Sequence, residues 1–507
     1  MVFENIIDQN FPKWNETEID GKPFDDIFKI DGVPLWWFYR RFITSHVLPK
    51  QFKLQQRLRD EKDSLFLRTR DYFVGLGFIN YFYYNEKRKQ KIAGNVHGNL
   101  GGGTEKVLLL TYANHYNRKT GETFRIQKLV DLVQKEEKIK PFLLYTDPLS
   151  KIFSKEIKIF NHTIYGYVTP ENAQKADKEA KELSKIWKGL DKNHLFGKKW
   201  WAIRAAMNFF FSYEFIYNTA LYYLTCEKII PEQCIKAIVL TSRNGFFERC
   251  MIAGAIKLQI PTVVIQHGLG LGLFSPETPA GIKHLVFGDI FKERLKKLGV
   301  EEKDIIITGP LIFDDIMPFI GKRIVGRKIV IITAPFIEEN RMKKDLYFRR
   351  ISNILDLLQE FSSEIIIKMH PRERTKSDYE GLLTQKQLKN VKIVDASGSN
   401  ILYSVMQDSA LVINFFSTAA LEAMIMDRPV LTIDPLVGFS NISEDMPYEG
   451  GEIVKIDGDI RAAVLRSLHD SEESKMRRRA MVQKFCYKVD GKASQRALKA
   501  IYGLMKS

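Results

Sequence analysis

Two histidines come directly after predicted buried strands. His267 follows the run Pro261–Ile265 and precedes Gly268, and His370 follows the run Glu364–Met369 and precedes a proline. Near neutral pH a histidine can act as a base, as an acid or as a hydrogen-bond donor to phosphate. Glycine lets the backbone approach a ligand closely, and proline ends a strand. We therefore predict that His267 and His370 are catalytic and that Gly268 contacts the ligand.

The neighbourhood of His370 is positively charged. Lys368 lies two residues before it and Arg372 lies two residues after it. Fixed positive groups stabilise the charge that develops on a departing phosphate oxygen, and they can take the place of a metal ion there. We predict that Lys368 and Arg372 bind a donor phosphate, which His370 binds or protonates.

A third candidate is a strand, a turn of small residues and a helix over residues 411–426. Ser417 and Thr418 occupy the turn, and either can cap the helix. Free N–H groups and hydroxyls at a helix N-terminus bind anions, so both residues are predicted to bind phosphate. Glu422 lies one turn into the helix and could reach ribose hydroxyls. The alternative is a capping carboxylate, although its spacing from Thr418 is one residue longer than in a capping box.

Two further segments follow predicted strands. Gly309 and Pro310 form a turn that we interpret as hinge and packing with backbone contact to a ligand, and Asp314 is predicted to cap the next helix. Glu248, which follows Arg243 after the strand 237–241, is an acidic alternative to His267 as the base for an acceptor hydroxyl.

Metal and nucleotide-hydrolysis motifs are weak in this chain. The segment Asp457–Asp459 contains two aspartates around a glycine, but it directly precedes a helix-like segment and is interpreted as a turn with an N-cap. No P-loop is present, and the glycines of 268–273 lack the dinucleotide-binding spacing. We predict no metal site and no cofactor.

The elements that must position these residues alternate between short apolar runs and helix-periodic segments. This alternation predicts βαβ units, parallel sheets covered on both faces and two Rossmann-like domains with ligands at the carboxyl ends of the strands. No internal repeat is evident. The predicted domains are a mostly helical region over 1–95, a Rossmann-like acceptor domain over 105–300 with a helical insertion at 170–230, a Rossmann-like donor domain over 301–475, and a C-terminal helix over 476–507 that packs back on the acceptor domain.

Composition limits the classes of protein further. The 507 residues include 77 Lys and Arg against 61 Asp and Glu, which gives a formal net charge of +16, and 45% of residues are hydrophobic. These values exclude wholesale disorder and predict an anionic partner. Four cysteines without a C-x-x-C pair predict no disulfide framework and a reducing cytoplasm. No signal peptide is evident, and no DNA- or RNA-binding signature is present, so nucleic acid is not a predicted partner.

Aromatic and basic residues cluster three times before residue 230. The clusters are Leu35–Phe42, residues 72–91, and residues 198–223. Tryptophan, tyrosine and cationic side chains side by side are typical of proteins at the membrane headgroup layer. The alternative is a set of aromatic core helices with a solvated basic face. We predict an anionic membrane surface as partner, and a cytoplasmic protein that is peripheral on the inner face of the cell membrane.

In their order along the chain these motifs resemble the GT-B glycosyltransferases of surface-polysaccharide and capsule synthesis, a clan that includes the CDP-glycerol glycerophosphotransferases and the Kdo- and sialyl-type transferases. The resemblance covers roughly residues 105–505. It depends on six motifs: Gln266–Gly268, Thr308–Pro310 with Asp314, His370–Pro371, Ser417–Thr418 with Glu422, Arg428–Val430, and Asp490–Ser494. The non-hydrolysing UDP-GlcNAc 2-epimerases share the fold and a similar order of motifs.

The resemblance implies a GT-B α/β fold, with two Rossmann-like domains across a cleft. It implies a metal-independent, inverting glycosyltransferase that moves a sugar from a nucleotide-activated donor to a glycan or polyprenyl-linked acceptor. The donor can be of UDP, CDP or CMP type. His370, Ser417 and Thr418 would hold the donor phosphate, Glu422 the ribose, and His267 would face the transferred group. Two alternatives stay open: a nucleotide-sugar 2-epimerase and a glycerophosphotransferase that uses CDP-glycerol.

Overall fold

The computed structural model describes residues 18–42, 103–111, 123, 126–145, 162–196, 207–243, 245–266, 268–269, 281–321, 328–338, 341–361, 364–395, 399–435 and 447–506. Its strands are β1 (Glu18–Ile19), β2 (Lys22–Pro23), β3 (Lys29–Ile30), β4 (Val33–Pro34), β5 (Glu105–Thr111), β6 (Ile139–Tyr145), β7 (His162–Thr163), β8 (Ile235–Leu240), β9 (Thr262–Ile265), β10 (Lys283–Val286), β11 (Ile305–Ile307), β12 (Lys328–Ile332), β13 (Glu364–Lys368), β14 (Val391–Val394), β15 (Ser409–Asn414), β16 (Val430–Asp434) and β17 (Glu452–Lys455).

The helices are numbered in the same way. They are α1 (Phe24–Ile27), α2 (Leu35–Phe42), α3 (Gln127–Lys135), α4 (Pro170–Gly189), α5 (Lys192–Phe196), α6 (Tyr213–Glu232), α7 (Phe246–Lys257), α8 (Asp289–Lys297), α9 (Lys344–Leu358), α10 (Lys376–Gln385), α11 (Ser399–Met406), α12 (Ala419–Ile425), α13 (Ile460–His469), α14 (Glu472–Phe485) and α15 (Ala493–Lys506). Short 3₁₀ helices cover Ile164–Tyr167, Glu302–Asp304, Leu311–Phe319 and Pro447–Gly450.

The first sheet has seven strands in the order β11-β10-β9-β8-β5-β6-β7. Pairing is parallel between β5 and β6, between β5 and β8, between β6 and β7, and between β8 and β9. Residues Val107–Leu110 of β5 are buried, which fits a parallel strand covered on both faces. The strand that comes first in the chain, β5, therefore lies between β6 and β8, and the strand order reverses there.

The second sheet has six parallel strands in the order β14-β13-β12-β15-β16-β17. Alternate residues of its central strands enter two different core clusters: Val330 and Val412 belong to one, and Ile331 and Ile413 to the other. Both faces of the sheet are therefore covered by apolar side chains. The α/β class and the two Rossmann-like sheets predicted from the sequence are confirmed.

The chain divides into two compact units. One unit comprises residues 1–121, 133–264 and 504–507, and the other comprises residues 122–132 and 265–503. The boundary at 264/265 lies earlier in the chain than the predicted boundary at 300/301. Strands β10 and β11 belong to the first sheet by their hydrogen bonds, but together with helix α8 they pack as part of the second unit.

Residues 18–34 form two β-hairpins and one short helix, so the prediction of a mostly helical N-terminal region is wrong for this part. β1 pairs with β2 and β3 with β4, both antiparallel, around the two-residue turns Asp20–Gly21 and Asp31–Gly32. All four turn residues have positive φ, between 50° and 85°. Asp-Gly favours such turns because both residues tolerate the left-handed region.

The two hairpins are also an internal repeat that the sequence analysis missed. The pattern Ile-Asp-Gly-x-Pro occurs at Ile19–Pro23 and again at Ile30–Pro34. Each copy leads directly into a helix, α1 or α2. The repeated turn chemistry was readable in the sequence, but the strands it joins are only two residues long and carry no periodicity.

Most rings of the aromatic clusters that the structure describes are buried in the core. Tyr39 of α2 lies 5.3 Å from Phe210 and 5.0 Å from Phe215 between ring centroids, and its hydroxyl bonds Thr219. Phe211 stacks on Trp187 at 4.4 Å. Tyr39, Phe210, Phe211 and Phe215 are buried, so these rings do not form a headgroup-facing surface, whereas Trp36 and Trp37 are half-buried. The aromatic segments 72–85 and 198–201 lie outside the described residues.

Reciprocal contacts join helix α2 to helix α7. The indole N–H of Trp37 donates to the carbonyl oxygen of Arg249 at 3.0 Å, and Nη1 of Arg249 donates to the carbonyl oxygen of Trp37 at 2.5 Å. The guanidinium also lies 4.7 Å from the Trp37 ring centroid, a cation–π geometry. The N-terminal segment is thus bound to the helix whose first turn carries Glu248.

In the part of the chain that the structure describes, no helix is both long and apolar enough to cross a membrane.

Asp314 caps the C-terminal helix rather than the next helix, which corrects the prediction. The residue lies within the 3₁₀ helix Leu311–Phe319, and its carboxylate accepts the N–H groups of Ala493 at 2.9 Å and Ser494 at 2.7 Å. These are the first residues of α15, whose N–H groups have no partner within the helix. The same carboxylate thus satisfies two buried donors far away in the sequence.

Replacing Asp314 with alanine should destabilise the protein by about 2–6 kcal/mol. Two buried N–H groups would lose their acceptor, and each unsatisfied buried group costs about 1–3 kcal/mol. The shift in thermal unfolding midpoint would measure this loss. The control is Asp315→Ala, since Asp315 is the exposed neighbour. Equal midpoints for the two variants would contradict the capping role.

Candidate active site

The carboxyl ends of β13, β12 and β15 meet at one edge of the second sheet. β12 comes first in the chain and has β13 on one side and β15 on the other, so the strand order reverses between β12 and β15. Ligands of doubly wound sheets bind in the crevice outside such a reversal point. Thr333 follows β12, His370 follows β13, and Ser417 follows β15. The fold thus brings His370 and Ser417, predicted separately, to the same edge.

One ring nitrogen of His370, Nδ1, accepts a hydrogen bond from its own turn, which leaves Nε2 to face a ligand. The backbone N–H of Arg372 donates to Nδ1 of His370 at 3.1 Å. Nδ1 must therefore be unprotonated, and the neutral imidazole carries its proton on Nε2. Burial, with Arg372 and Lys368 nearby, lowers the pKa of His370 to about 4. At neutral pH the ring is an Nε2–H hydrogen-bond donor, which favours binding a phosphate oxygen over protonating it.

Glu373 is the acceptor around which this turn is built. Its carboxylate accepts the backbone N–H of His370 at 2.7 Å and the hydroxyl of Tyr379 at 3.0 Å. It also accepts the hydroxyls of Thr333 and, at 3.4 Å, Tyr347. Burial raises the pKa of Glu373, while the bonds from Thr333, His370 and Tyr379 oppose that rise.

The sequence analysis did not select Glu373, Thr333, Tyr347 or Tyr379. Thr333 had a usable signal, because it follows β12 as His370 follows β13. Glu373 had a weaker one, three residues beyond His370 in a turn. The tyrosines had none, since they lie on α9 and α10 and reach the turn only through tertiary packing.

Lys368 places a buried ammonium group beside this turn. Its side chain is 5% exposed, and Nζ donates to the carbonyl oxygen of Met369 at 2.8 Å. Burial lowers the pKa of Lys368, and the charges of Glu373 and Asp395 oppose that effect. Among the described residues the structure shows no salt bridge for Lys368. A buried cation without a bonded carboxylate is suited to an anionic ligand. Arg372 is exposed on the same turn.

The turn after β15 is held by Asn414 and Ser417. The Asn414 amide oxygen accepts the N–H of Ser417 at 3.2 Å, and Oγ of Ser417 accepts the N–H of Ala419 at 3.3 Å. Phe416 between them has φ +56°, a left-handed conformation that is uncommon for a large side chain. Ser417 therefore makes the side-chain bond to the start of α12, and Thr418 makes no capping bond.

Glu422 lies on α12 and accepts the hydroxyl of Tyr403 at 3.0 Å. Burial raises the pKa of Glu422 to about 7, and the bond from Tyr403 opposes this rise. The carboxyl group is not part of a capping box, because its bond is to a side chain of α11 rather than to the N-terminus of α12. Its contact with a ribose stays a prediction.

The remaining predicted residues have the following surroundings. Gly309 has φ +85°, and a Cβ there would lie 2.9 Å from Nη2 of Arg496, so this glycine is packed against the C-terminal segment. Pro310 precedes the 3₁₀ helix that contains Asp314. The carbonyl oxygen of Gly268 accepts the side-chain N–H of Gln266 at 2.9 Å. Ligand contacts of all three predicted residues stay predictions.

In the first unit, Glu248 is buried in the first turn of α7, directly after the segment that follows β8. Since β5 and β8 flank the reversal point of the first sheet, this segment lies at the edge where that sheet would bind a ligand. Its role as a base stays a prediction. His267 lies outside the described residues.

Within the described ranges, no group of three or more His, Cys, Asp and Glu side chains is arranged to hold a metal ion. Asp459 instead caps α13 through the N–H of Ala462 at 2.9 Å, which confirms the interpretation of Asp457–Asp459 as a turn with an N-cap.

Residues 323–503 match the family model of the CDP-Glycerol:Poly(glycerophosphate) glycerophosphotransferases. This segment contains the whole second sheet and its carboxyl edge with His370, Ser417 and Glu422. The resemblance to the transferases of surface-polysaccharide synthesis is thereby confirmed. The matched segment is thus similar to a family of transferases whose name gives CDP-glycerol as the donor. No curated protein matches the sequence.

Several solved structures are similar in outline. The UDP-GlcNAc 2-epimerase of Methanocaldococcus jannaschii is 15% identical, with 79% of this chain and 100% of that chain covered and a TM-score of 0.47. The UDP-GlcNAc 2-epimerase of Neisseria meningitidis is 14% identical, with 78% and 100% covered and a TM-score of 0.46. The wall teichoic acid polymerase TagF is 13% identical, with 88% and 99% covered and a TM-score of 0.45. At these scores the likenesses carry no argument about the reaction.

The imidazole of His370 should titrate with a midpoint near pH 4. The unfolded chain takes up this proton near pH 6.5, so the depressed native pKa lowers stability as the pH falls from about 6.5 to about 4. An NMR titration of the histidine ring protons would give the midpoint, with His370→Gln used to assign the resonance. A midpoint near 6.5 would show that the ring is not held as described.

Proposed function

We propose that this protein is a metal-independent transferase that moves a sugar or a glycerophosphoryl group from a nucleotide-activated donor to a hydroxyl of a glycan or lipid-linked acceptor. The observation that carries the proposal is the turn of His370, which presents a neutral Nε2–H beside the buried ammonium group of Lys368. This turn lies within the segment that matches the glycerophosphotransferase family.

The donor phosphate binds at the edge where β12, β13 and β15 end. Nε2 of His370 and the cationic groups of Lys368 and Arg372 face the leaving phosphate, and the turn of Ser417 and Thr418 binds it from the other strand. Positively charged and N–H donors held in place before the reaction stabilise charge without reorganisation. Glu422 binds the ribose, with a pKa of about 7 that lets its carboxyl group accept or donate a hydrogen bond near neutral pH.

The reaction is a single displacement. The acceptor oxygen attacks the sugar anomeric carbon or the glycerol-bearing phosphorus, and its proton passes to a base, either His267 or Glu248. The bond between the transferred group and the nucleotide phosphate oxygen breaks, and its electron pair stays on that oxygen. The neutral His370 donates a hydrogen bond to the oxygen as its charge grows. A single displacement inverts the configuration at the reacting centre.

The name of the matching family supports glycerophosphoryl transfer from CDP-glycerol, and the order of motifs supports sugar transfer. In both cases a nucleotide phosphate leaves, so the same residues serve both reactions. A nucleotide-sugar 2-epimerase has no use for an acceptor. Product formation that requires an acceptor would therefore exclude the epimerase.

The acceptor and the location of the protein are part of the same proposal. A formal net charge of +16 supports a polyanionic or membrane-bound acceptor on the inner face of the cell membrane. The buried rings of α2 and α6 give no support to a membrane surface. Sedimentation with anionic vesicles at low salt tests this part, and a protein that stays in the supernatant would contradict it.

Thermal unfolding with CDP-glycerol, CMP, CDP, UDP and GDP should identify the donor nucleotide, because a ligand that binds the native state raises the unfolding midpoint. The donor that stabilises most is then incubated with a glycerophosphate or glycan acceptor on a lipid carrier. Transfer without added metal, in the presence of EDTA, is the expected result. An absolute requirement for a divalent cation would contradict the proposed phosphate site.

His370→Ala should lower the rate of transfer about 10²- to 10³-fold, the loss typical of one donor to a developing oxyanion. The matched control is His194→Ala, since His194 is exposed on α5 in the other unit. Thermal unfolding midpoints equal to that of the unaltered protein would show that both variants fold. Full activity of the His370 variant would refute the role assigned to this residue.

A further inference from the structure

Glu373 lies three residues after His370 and accepts its backbone N–H. We propose that Glu373 is a positioning residue, whose carboxylate fixes the turn of His370 so that Nε2–H points at the donor phosphate. The catalytic consequence rests on the proposed function, whereas the effect on the ring can be measured without any activity.

Several hydrogen-bond donors converge on the carboxylate of Glu373. Glu373 accepts the backbone N–H of His370 at 2.7 Å and hydroxyl groups of Thr333, Tyr379 and Tyr347. An ionised carboxylate has about four lone-pair sites, so these donors use most of its accepting capacity. The tyrosine hydroxyls lie 2.7 Å apart. Since each carries one hydrogen, one hydroxyl donates to the other and the second donates to Glu373, which makes one connected network.

The network joins four elements around one turn. Thr333 follows β12, Tyr347 belongs to α9, Tyr379 belongs to α10, and Glu373 itself lies between β13 and α10. Thr333 is bound to the turn twice, because its Oγ1 also accepts the N–H of His370 at 3.1 Å. The backbone at His370 is therefore tied to its neighbouring strand and to two helices.

The link from the carboxylate to the ring runs through the backbone. When the N–H of His370 is held by Glu373 and Thr333, the N–H of Arg372 comes to lie 3.1 Å from Nδ1. That bond selects the tautomer with the proton on Nε2. The pKa of His370 is lowered by burial, Arg372 and Lys368. Glu373 thus acts on the position and tautomer of the ring by geometry.

Glu373→Gln removes half of the accepting capacity and adds two N–H donors that face other donors. We expect the turn to loosen and the Nδ1–H tautomer of His370 to become populated. Long-range ¹H–¹⁵N NMR spectra of protein labelled at histidine would report the tautomer of His370. In the unaltered protein we expect only the Nε2–H tautomer for this residue. Tyr379→Phe removes one donor from the network without adding any, and should cause a smaller change in the same direction.

The catalytic part is tested by a double-mutant cycle. Glu373→Gln should lower kcat/KM about 10- to 100-fold in the otherwise unaltered enzyme, since small misplacements of a catalytic group are costly. In the His370→Ala background the same substitution should cause no further loss. A residue with a merely structural role would lower activity in both backgrounds.

The matched control is Glu338→Gln. Glu338 accepts the backbone N–H of Arg374 at 2.7 Å in the same turn but makes no bond to His370. We expect this variant to keep the Nε2–H tautomer and the kcat/KM of the unaltered enzyme.

Two results would overturn the proposal: an unchanged tautomer in both Glu373→Gln and Tyr379→Phe, or an equal loss of activity in the two backgrounds. A fully active His370→Ala enzyme with a shifted tautomer in Glu373→Gln would instead refute the role of His370 and leave the positioning intact.

Discussion

The parallel pairing of β12 with β13 on one side and β15 on the other is the constraint on which the candidate site depends. Parallel strands end at the same edge of a sheet, so residues that follow them are neighbours whatever their separation in the chain. Thr333, His370 and Ser417 meet for this reason alone. Each turn is then held by its own polar side chain, Glu373 in one case and Asn414 in the other.

Burial sets the proton states at this edge. It lowers the pKa of His370 and Lys368 and raises the pKa of Glu373 and Glu422. Because desolvation disfavours every charged form, hydrogen bonds and neighbouring charges decide which groups keep a charge. The site therefore combines a neutral donor with buried groups of both signs. Such an arrangement is suited to an anionic ligand whose leaving group gains further negative charge in the reaction.

In the first unit, residues whose composition is typical of a membrane surface instead form part of the protein core. Rings of α2, α6 and the segment before α6 form an aromatic core, and Trp37 and Arg249 join α2 to α7. Tryptophan, tyrosine and arginine in one cluster are compatible both with a lipid surface and with a buried cation–π contact. Composition cannot separate these cases, because the distinction lies in which side of the helix another helix covers.

Much of the fold could be read from the sequence by itself. Apolar runs bounded by helices predicted most strands of both sheets, since a strand buried on two faces must be continuously apolar. Strand-end position selected His370 and Ser417. Sequence could not identify Tyr347 as a partner of Glu373 in the His370 turn, or Asp314 as the cap of α15, because these contacts join residues distant in the chain. Whether an aromatic cluster is core and which helix Asp314 caps were decided by tertiary packing, since both depend on groups distant in the chain. The protonated nitrogen of His370 was decided by the folded conformation of its own turn, because the N–H that selects it belongs to Arg372, two residues away.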